Sequence, residues 1–226
     1  MKIAVLGTGS VGRTLAAKFA ALGHEVTVGT REVAGTLARD TADRMGNPPY
    51  SHWQAEHQGI GLATFAEAAA GGELVVNASS GLASLTVLEL AGAENLDGKV
   101  LVDVANPLDF SLGFPPSLDP VNVDSLGEQV QRAFPAARVV KTLCTVNAQV
   151  MVDPARVGDG DTTIFVSGND EPAKAVVTAL LTAIGWTDVL DLGDITTARG
   201  QEMLMPGWLR IMSALGTAEF NFKIVR

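Results

Sequence analysis

Three glycines near the start of the chain are spaced as a binding motif. Gly7-Thr8-Gly9-Ser10-Val11-Gly12 reads G-x-G-x-x-G. Such a run can hold a pyrophosphate through its backbone, provided a strand precedes it and a helix follows. Gly7 permits a tight turn, Gly9 carries no side chain to block the phosphates, and Gly12 lets the helix approach the sheet. The anion then meets unpaired N–H groups and the positive end of the helix dipole. About 18 positions beyond Gly12 stand Thr30 and Arg31. An acid in this region would bond the ribose 2′-hydroxyl of NAD. A hydroxyl and a forked guanidinium suit the 2′-phosphate of NADP instead. Glu32 is assigned to the first turn of the next helix, where acids are favoured. The expected cofactor is therefore NADP(H), and the expected chemistry is hydride transfer.

The remaining side chains offer little other chemistry. Cys144 is the only cysteine, so the chain forms no internal disulfide, and a lone cysteine is commonly a small buried hydrophobe. His24, His52 and His57 do not form a metal-ligand spacing, and His52, Glu56 and His57 do not match H-E-x-x-H. No G-x-S-x-G and no P-loop is present. No metal and no catalytic acid or base is assigned. Hydride transfer between two cofactors needs mainly orientation and exclusion of water, which fits that lack. A ketone reductase would need a proton donor.

The elements that must position the motif alternate along the chain. Strands are expected at Lys2–Leu6, Glu25–Gly29, Leu74–Asn77, Lys99–Val104 and Arg138–Leu143, and later at Thr162–Ser167 and Asp188–Leu192. Helices are expected at Val11–Leu22, Glu32–Met45, Thr64–Ala70 with a Thr64/Glu67 capping box, and Leu82–Gly92. Further helices fall at Leu126–Phe134, Glu171–Ile184 and about Ile195–Leu215, where Pro206 could kink or break the run. Asn47–Gly61 reads as a polar loop, with a lid as the alternative. This alternation predicts an α/β fold: a Rossmann-type, doubly wound parallel sheet with a small C-terminal α/β appendage. The expected division is a dinucleotide-binding domain over 1–145 and a small domain over 146–226 that completes a substrate cleft. Leu204, Trp208, Ile211, Met212 and Leu215 follow helical spacing, as core, as a subunit interface, or as cleft lining.

At 226 residues the chain is long enough to bury a sizeable core. Hydrophobic residues make up 47% and charged residues 18%, which excludes a disordered chain. A net charge of −9 and the lack of any basic run argue against nucleic acid as a partner. No apolar run reaches the ~18 residues of a membrane span, and glycines interrupt the apolar start, so a cytoplasmic location is expected.

The opening MKIAVLGTGSVGRTLAAKFAALGHEVTVGTRE resembles the NADP-binding half of the F420-dependent NADP reductases. It is also similar to the oxidoreductase domain of the STEAP ferric reductases. LVVNASSG, KVLVDVANP, FPAARVVKTLCTVNA and DLGDITTARGQEM follow in the family's order. The resemblance implies a cleft in which the deazaflavin F420 lies against the nicotinamide. By position it implies that Thr8, Gly9, Ser10 and Val11 hold the pyrophosphate, and Thr30 and Arg31 the 2′-phosphate. Ala78, Ser79 and Ser80 would pass beside the ribose; Ala105, Asn106 and Pro107 would approach the nicotinamide. Cys144 and Asn147 become candidates on the side of the second substrate. A homodimer is also implied. There are departures. Cys144 stands where the F420 reductases tend to carry His and the ferric reductases Asn. Gly35 replaces a basic residue, and the 47–61 loop is longer. The acceptor therefore stays open between F420 and a flavin, ferric chelate or imine, with a non-catalytic NADP-binding regulator as a third reading.

Overall fold

The computed structural model describes residues 1–43 and 46–226. Ten strands occur among them: β1 Lys2–Leu6, β2 Glu25–Thr30, β3 Gly61–Thr64, β4 Leu74–Asn77, β5 Val100–Asp103, β6 Leu108–Asp109, β7 Ser117–Leu118, β8 Arg138–Thr142, β9 Thr163–Gly168 and β10 Asp188–Asp191. The helices are α1 Ser10–Ala21, α2 Val33–Ala38, α3 Tyr50–Glu56, α4 Phe65–Gly71, α5 Ser84–Ala91, α6 Ala93–Leu96, α7 Leu126–Ala133, α8 Ala148–Val152, α9 Glu171–Ile184 and α10 Ala198–Leu215.

Eight strands form one sheet in the order β10-β9-β8-β5-β4-β1-β2-β3. Strands β1 to β5 and β8 run parallel. β9 pairs antiparallel with β8, and β10 follows β9 in parallel. The β6–β7 pair is a separate two-stranded hairpin. The central strands are buried almost throughout, as the unbroken apolar runs of β1, β4 and β5 require in a sheet covered on both faces. One cluster joins Leu15, Phe19, Val150, Val177 and Trp186 against one face of the sheet. Another joins Phe65, Leu88, Leu126 and Val130 against the other. The fold is the expected Rossmann-type α/β sheet with a C-terminal addition. Residue 145 falls between β8 and α8, and the sheet runs on past it through β9 and β10.

The structure adds α6, α8 and the β6–β7 hairpin to the expected elements, and it differs from them elsewhere. The helix expected over Glu32–Met45 is α2, which ends at Ala38 because Arg39 turns extended (φ −67°, ψ 124°); Arg44 and Met45 lie outside the described residues. The expected loop at Asn47–Gly61 contains α3, and β3 follows at its end. α3 is pinned by Tyr50, which is buried, and by Trp53, which packs on the core. α10 continues through Pro206. Met205, Trp208 and Leu209 on α10 pack with Leu118 of β7, and Trp208 stacks on Phe220 at 5.0 Å. The Thr64/Glu67 capping box is present.

Candidate functional site

The glycine turn is built as its spacing predicts. Gly7 has φ +136°, and a Cβ there would lie 2.5 Å from the Ala78 carbonyl oxygen. A Cβ on Gly12 would lie 2.1 Å from the Gly7 carbonyl oxygen. Both positions are therefore closed to any side chain. Gly9 is different: a Cβ would meet nothing within 4 Å among the described residues. The space above it is open, and Gly9 is the N-cap of α1 with no side-chain cap and no acid in the first turn. A 12-residue helix thus presents its first N–H groups to a cradle with room for a pyrophosphate. Arg13 braces the turn. It is buried, donates to the carbonyls of Thr8 (2.7 Å) and Pro48 (2.6 Å), and lies 5.3 Å over the Tyr50 ring.

At the end of β2, Thr30 is buried and its hydroxyl pairs with that of Thr36 at 2.7 Å. Arg31 is exposed. The Glu32 carboxylate accepts from the N–H groups of Ala34 and Gly35, so it is the N-cap of α2 and not a first-turn residue as expected.

The ends of β4 and β5 form the floor of a second cavity of about 370 Å³. Ala78, Ser79, Ser80, Ala105 and Asn106 line it together with Val11 of the glycine turn. Met151, Met205, Trp208 and Leu209 supply its opposite, mostly apolar wall, and Phe110 of the hairpin reaches it. Pro107 is not among the lining residues. Gly81 holds the two strand ends together, since a Cβ there would lie 1.9 Å from the Asn106 carbonyl oxygen.

Beneath that floor runs a buried polar network. Asn77 donates to Ser84 and to Asp103, both at 2.9 Å, and its carbonyl oxygen accepts from the Ser79 hydroxyl at 2.6 Å. Lys141 is fully buried and pairs with Asp103 (2.9 Å) and Glu202 (2.8 Å), and it donates to the Ala105 carbonyl. Burial opposes the Lys141 charge, but the two carboxylates outweigh it and raise its pKa. Glu202 also accepts from the N–H groups of Leu126 and Gly127, at the start of α7. The network therefore joins α10 to the strand ends that form the cavity floor. Sequence reading missed Asp103, Lys141 and Glu202, although a Lys following Val139-Val140 within an expected strand was a readable signal.

Cys144 and Asn147 were expected on the side of the second substrate. The Cys144 side chain is fully buried below the cavity, its Sγ 3.8 Å from Gln201 Oε1, and it is not part of the lining. Burial pushes its thiol up to about 12, against the pull of Lys141. Asn147 does reach the cavity, but its side chain is occupied as the N-cap of α8 and as a donor to the Ala218 carbonyl. Asn106 donates to the Cys144 carbonyl at 2.7 Å, and its Oδ1 is buried without a partner.

A glycine turn open over Gly9 and an adjoining apolar cavity at the strand ends define a dinucleotide-dependent oxidoreductase. Residues 2–107 match the family described as NADP oxidoreductase, coenzyme F420-dependent. The chain is 30% identical over 214 residues to the F420-dependent NADP reductase of Methanocaldococcus jannaschii, covering 91% of this chain and 90% of that one. It is 28% identical to the metalloreductase STEAP3 of Rattus norvegicus over 92% of this chain, and spans only 38% of that protein. A crystal structure from Arthrobacter sp. FB24, assigned provisionally as an F420-dependent NADP reductase, superposes with a TM-score of 0.96 at 63% identity, covering 100% of both chains. The chain belongs to the F420-dependent NADP oxidoreductase family, and it is an NADP-dependent oxidoreductase. Among the described residues, no helix is long and apolar enough to cross a membrane.

Proposed function

We propose that this protein passes a hydride between NADPH and an F420-type deazaflavin. The observation that carries the reading is the makeup of the 370 Å³ cavity beside the glycine turn: among the described residues, its lining contains no titratable side chain. Carbonyl or imine reduction needs a proton donor at the reacting atom. Exchange between two redox cofactors does not; the balancing proton comes from water at the edge of the ring. When bound, the nicotinamide supplies the hydride, and the chain has only to orient the two rings and keep water out. The volume lies in the range of pockets that enclose small ligands.

In this reading, Thr8, Gly9, Ser10 and Val11 hold the pyrophosphate, and Thr30 and Arg31 hold the 2′-phosphate. Ala78, Ser79 and Ser80 flank the ribose. Ala105, Asn106 and Pro107 face the nicotinamide, where the unpartnered Asn106 Oδ1 offers an acceptor to its carboxamide N–H. Met151, Met205, Trp208 and Leu209 then cover the second ring.

The test is a mixture of pure protein, NADPH and oxidised F420, with FMN in a parallel cuvette. The expected result is bleaching of the deazaflavin absorbance and none of the flavin's. Tight NADPH binding with no F420 reduction would move the reading to another acceptor.

A further inference from the structure

We propose that Arg39 is the second cation of the 2′-phosphate site and, with Arg31, decides between NADP(H) and NAD(H). The proposal rests on the NADP reading above. A phosphate dianion is held best by more than one charge-assisted donor group, and Arg31 by itself supplies one. Position 35, one helical turn before residue 39, cannot help. A Cβ there would lie 2.5 Å from Glu32 Oε2, the oxygen that caps α2. Glycine at 35 offers no side-chain donor, and a larger residue there would have to displace the flexible Glu32 carboxylate.

Positions 35 and 39 are i and i+4, so they share a face. Arg39 projects from the end of α2 back along it, and its Nη2 donates to Thr36 Oγ1 at 3.1 Å. Thr36 is buried and pairs with Thr30 at 2.7 Å. The guanidinium is thus tied to the strand end from which Arg31 departs. A guanidinium only donates, so Thr36 accepts from it and can donate to Thr30, which frees the Thr30 proton for an anion.

Arg39 also lines a pocket of about 130 Å³ with Thr8, Gly9 and Arg13 of the phosphate turn. Among the described residues, Arg13 is committed to two carbonyls, whereas Arg39 donates to Thr36. The one acid of that pocket among its lining residues, Asp43, is engaged by Asn47 through its backbone N–H and side-chain amide, each at 2.9 Å.

The test compares wild type, Arg39→Ala, Arg39→Gln and Arg31→Ala by calorimetric titration with NADPH, NADH and 2′,5′-ADP, with thermal melts confirming folding. Arg39 is exposed, so the variants should fold. Arg39→Ala should weaken NADPH and 2′,5′-ADP about 10–100-fold and NADH less than about 2-fold. Arg39→Gln keeps a polar amide but loses the charge, and should weaken NADPH with the same selectivity. Equal losses for NADPH and NADH, or unchanged NADPH binding, would overturn the assignment. If Arg31→Ala discriminates and Arg39→Ala does not, Arg39 alone is excluded. If the wild type binds NADH as tightly as NADPH, or binds neither, the NADP reading falls, and Arg39 with it.

Discussion

At the scale of single residues, the glycine motif separates into two kinds of position that look alike in sequence. Gly7 and Gly12 are required by the fold, because their missing side chains let backbone meet backbone. Gly9 is required by nothing in the protein: its φ of −77° suits any residue, and a Cβ there would stand in open space. This predicts a split between two conservative variants. Gly9→Ala should fold with wild-type stability, within about 0.5 kcal/mol, and lose at least about tenfold in NADPH affinity. Gly12→Ala should lose about 1–3 kcal/mol or more of stability through overpacking at the strand–helix contact. Urea denaturation and NADPH titration of the two variants measure both quantities. Wild-type NADPH binding by Gly9→Ala would show that no phosphate lies over the turn.

At the scale of elements, what was legible followed from local signals. Lys2–Leu6 and Leu74–Asn77 are apolar runs, and Thr64 with Glu67 is a complete capping box, so strands and a helix start could be read directly. β3 was not legible, since Gly61-Leu62-Ala63-Thr64 carries no strong strand pattern and is a strand only because β2 pairs with it. α3 was hidden by Pro48-Pro49, although Tyr50 and Trp53 were spaced to bury one face. For the site, backbone features such as the turn and the ends of β4 and β5 were readable. The burial of Cys144 was not, because strand position does not say which face a helix arriving from residue 198 will cover. That helix is locked by the Asp103–Lys141–Glu202 triad, which binds β5, β8, α7 and α10 in one place. Lys141→Met would leave two buried carboxylates without their cation, and should cost about 3–5 kcal/mol. The shift of the urea midpoint reads this cost. A loss below about 1 kcal/mol would mean that the triad is not holding the elements together.

At the scale of the whole molecule, the groups buried between the sheet and α10 set how stability responds to alkali. The Cys144 thiol, ordinarily near 9.0, is pushed up to about 12 by burial. Between those values the unfolded chain has lost the proton and the folded one keeps it. The folded state then binds more protons, so stability must fall as pH rises. The contribution is fully present below pH 9 and is lost progressively toward pH 12. Lys141 has the same sign. Its pKa is raised above 10.5 because Asp103 and Glu202 outweigh its burial, so its contribution holds below that pH and declines above it. Tyr50, raised from 10.0 by burial, adds a loss that starts between the two. From about pH 9 Cys144 contributes a limiting slope of about 1.4 kcal/mol per pH unit, and Lys99, lowered from 10.5 by burial, opposes it equally in wild type and in a Cys144 variant. Urea unfolding of wild type and Cys144→Ala between about pH 9 and 10 isolates the thiol's share. The variant starts less stable for the lost packing, so the slopes and not the absolute values are compared. From pH 9 to 10 the slope of wild type should be more negative than that of Cys144→Ala, by up to about 1.4 kcal/mol per pH unit. Parallel slopes for the two proteins would mean that the thiol titrates normally, which requires the seal of α10 over the sheet to admit water.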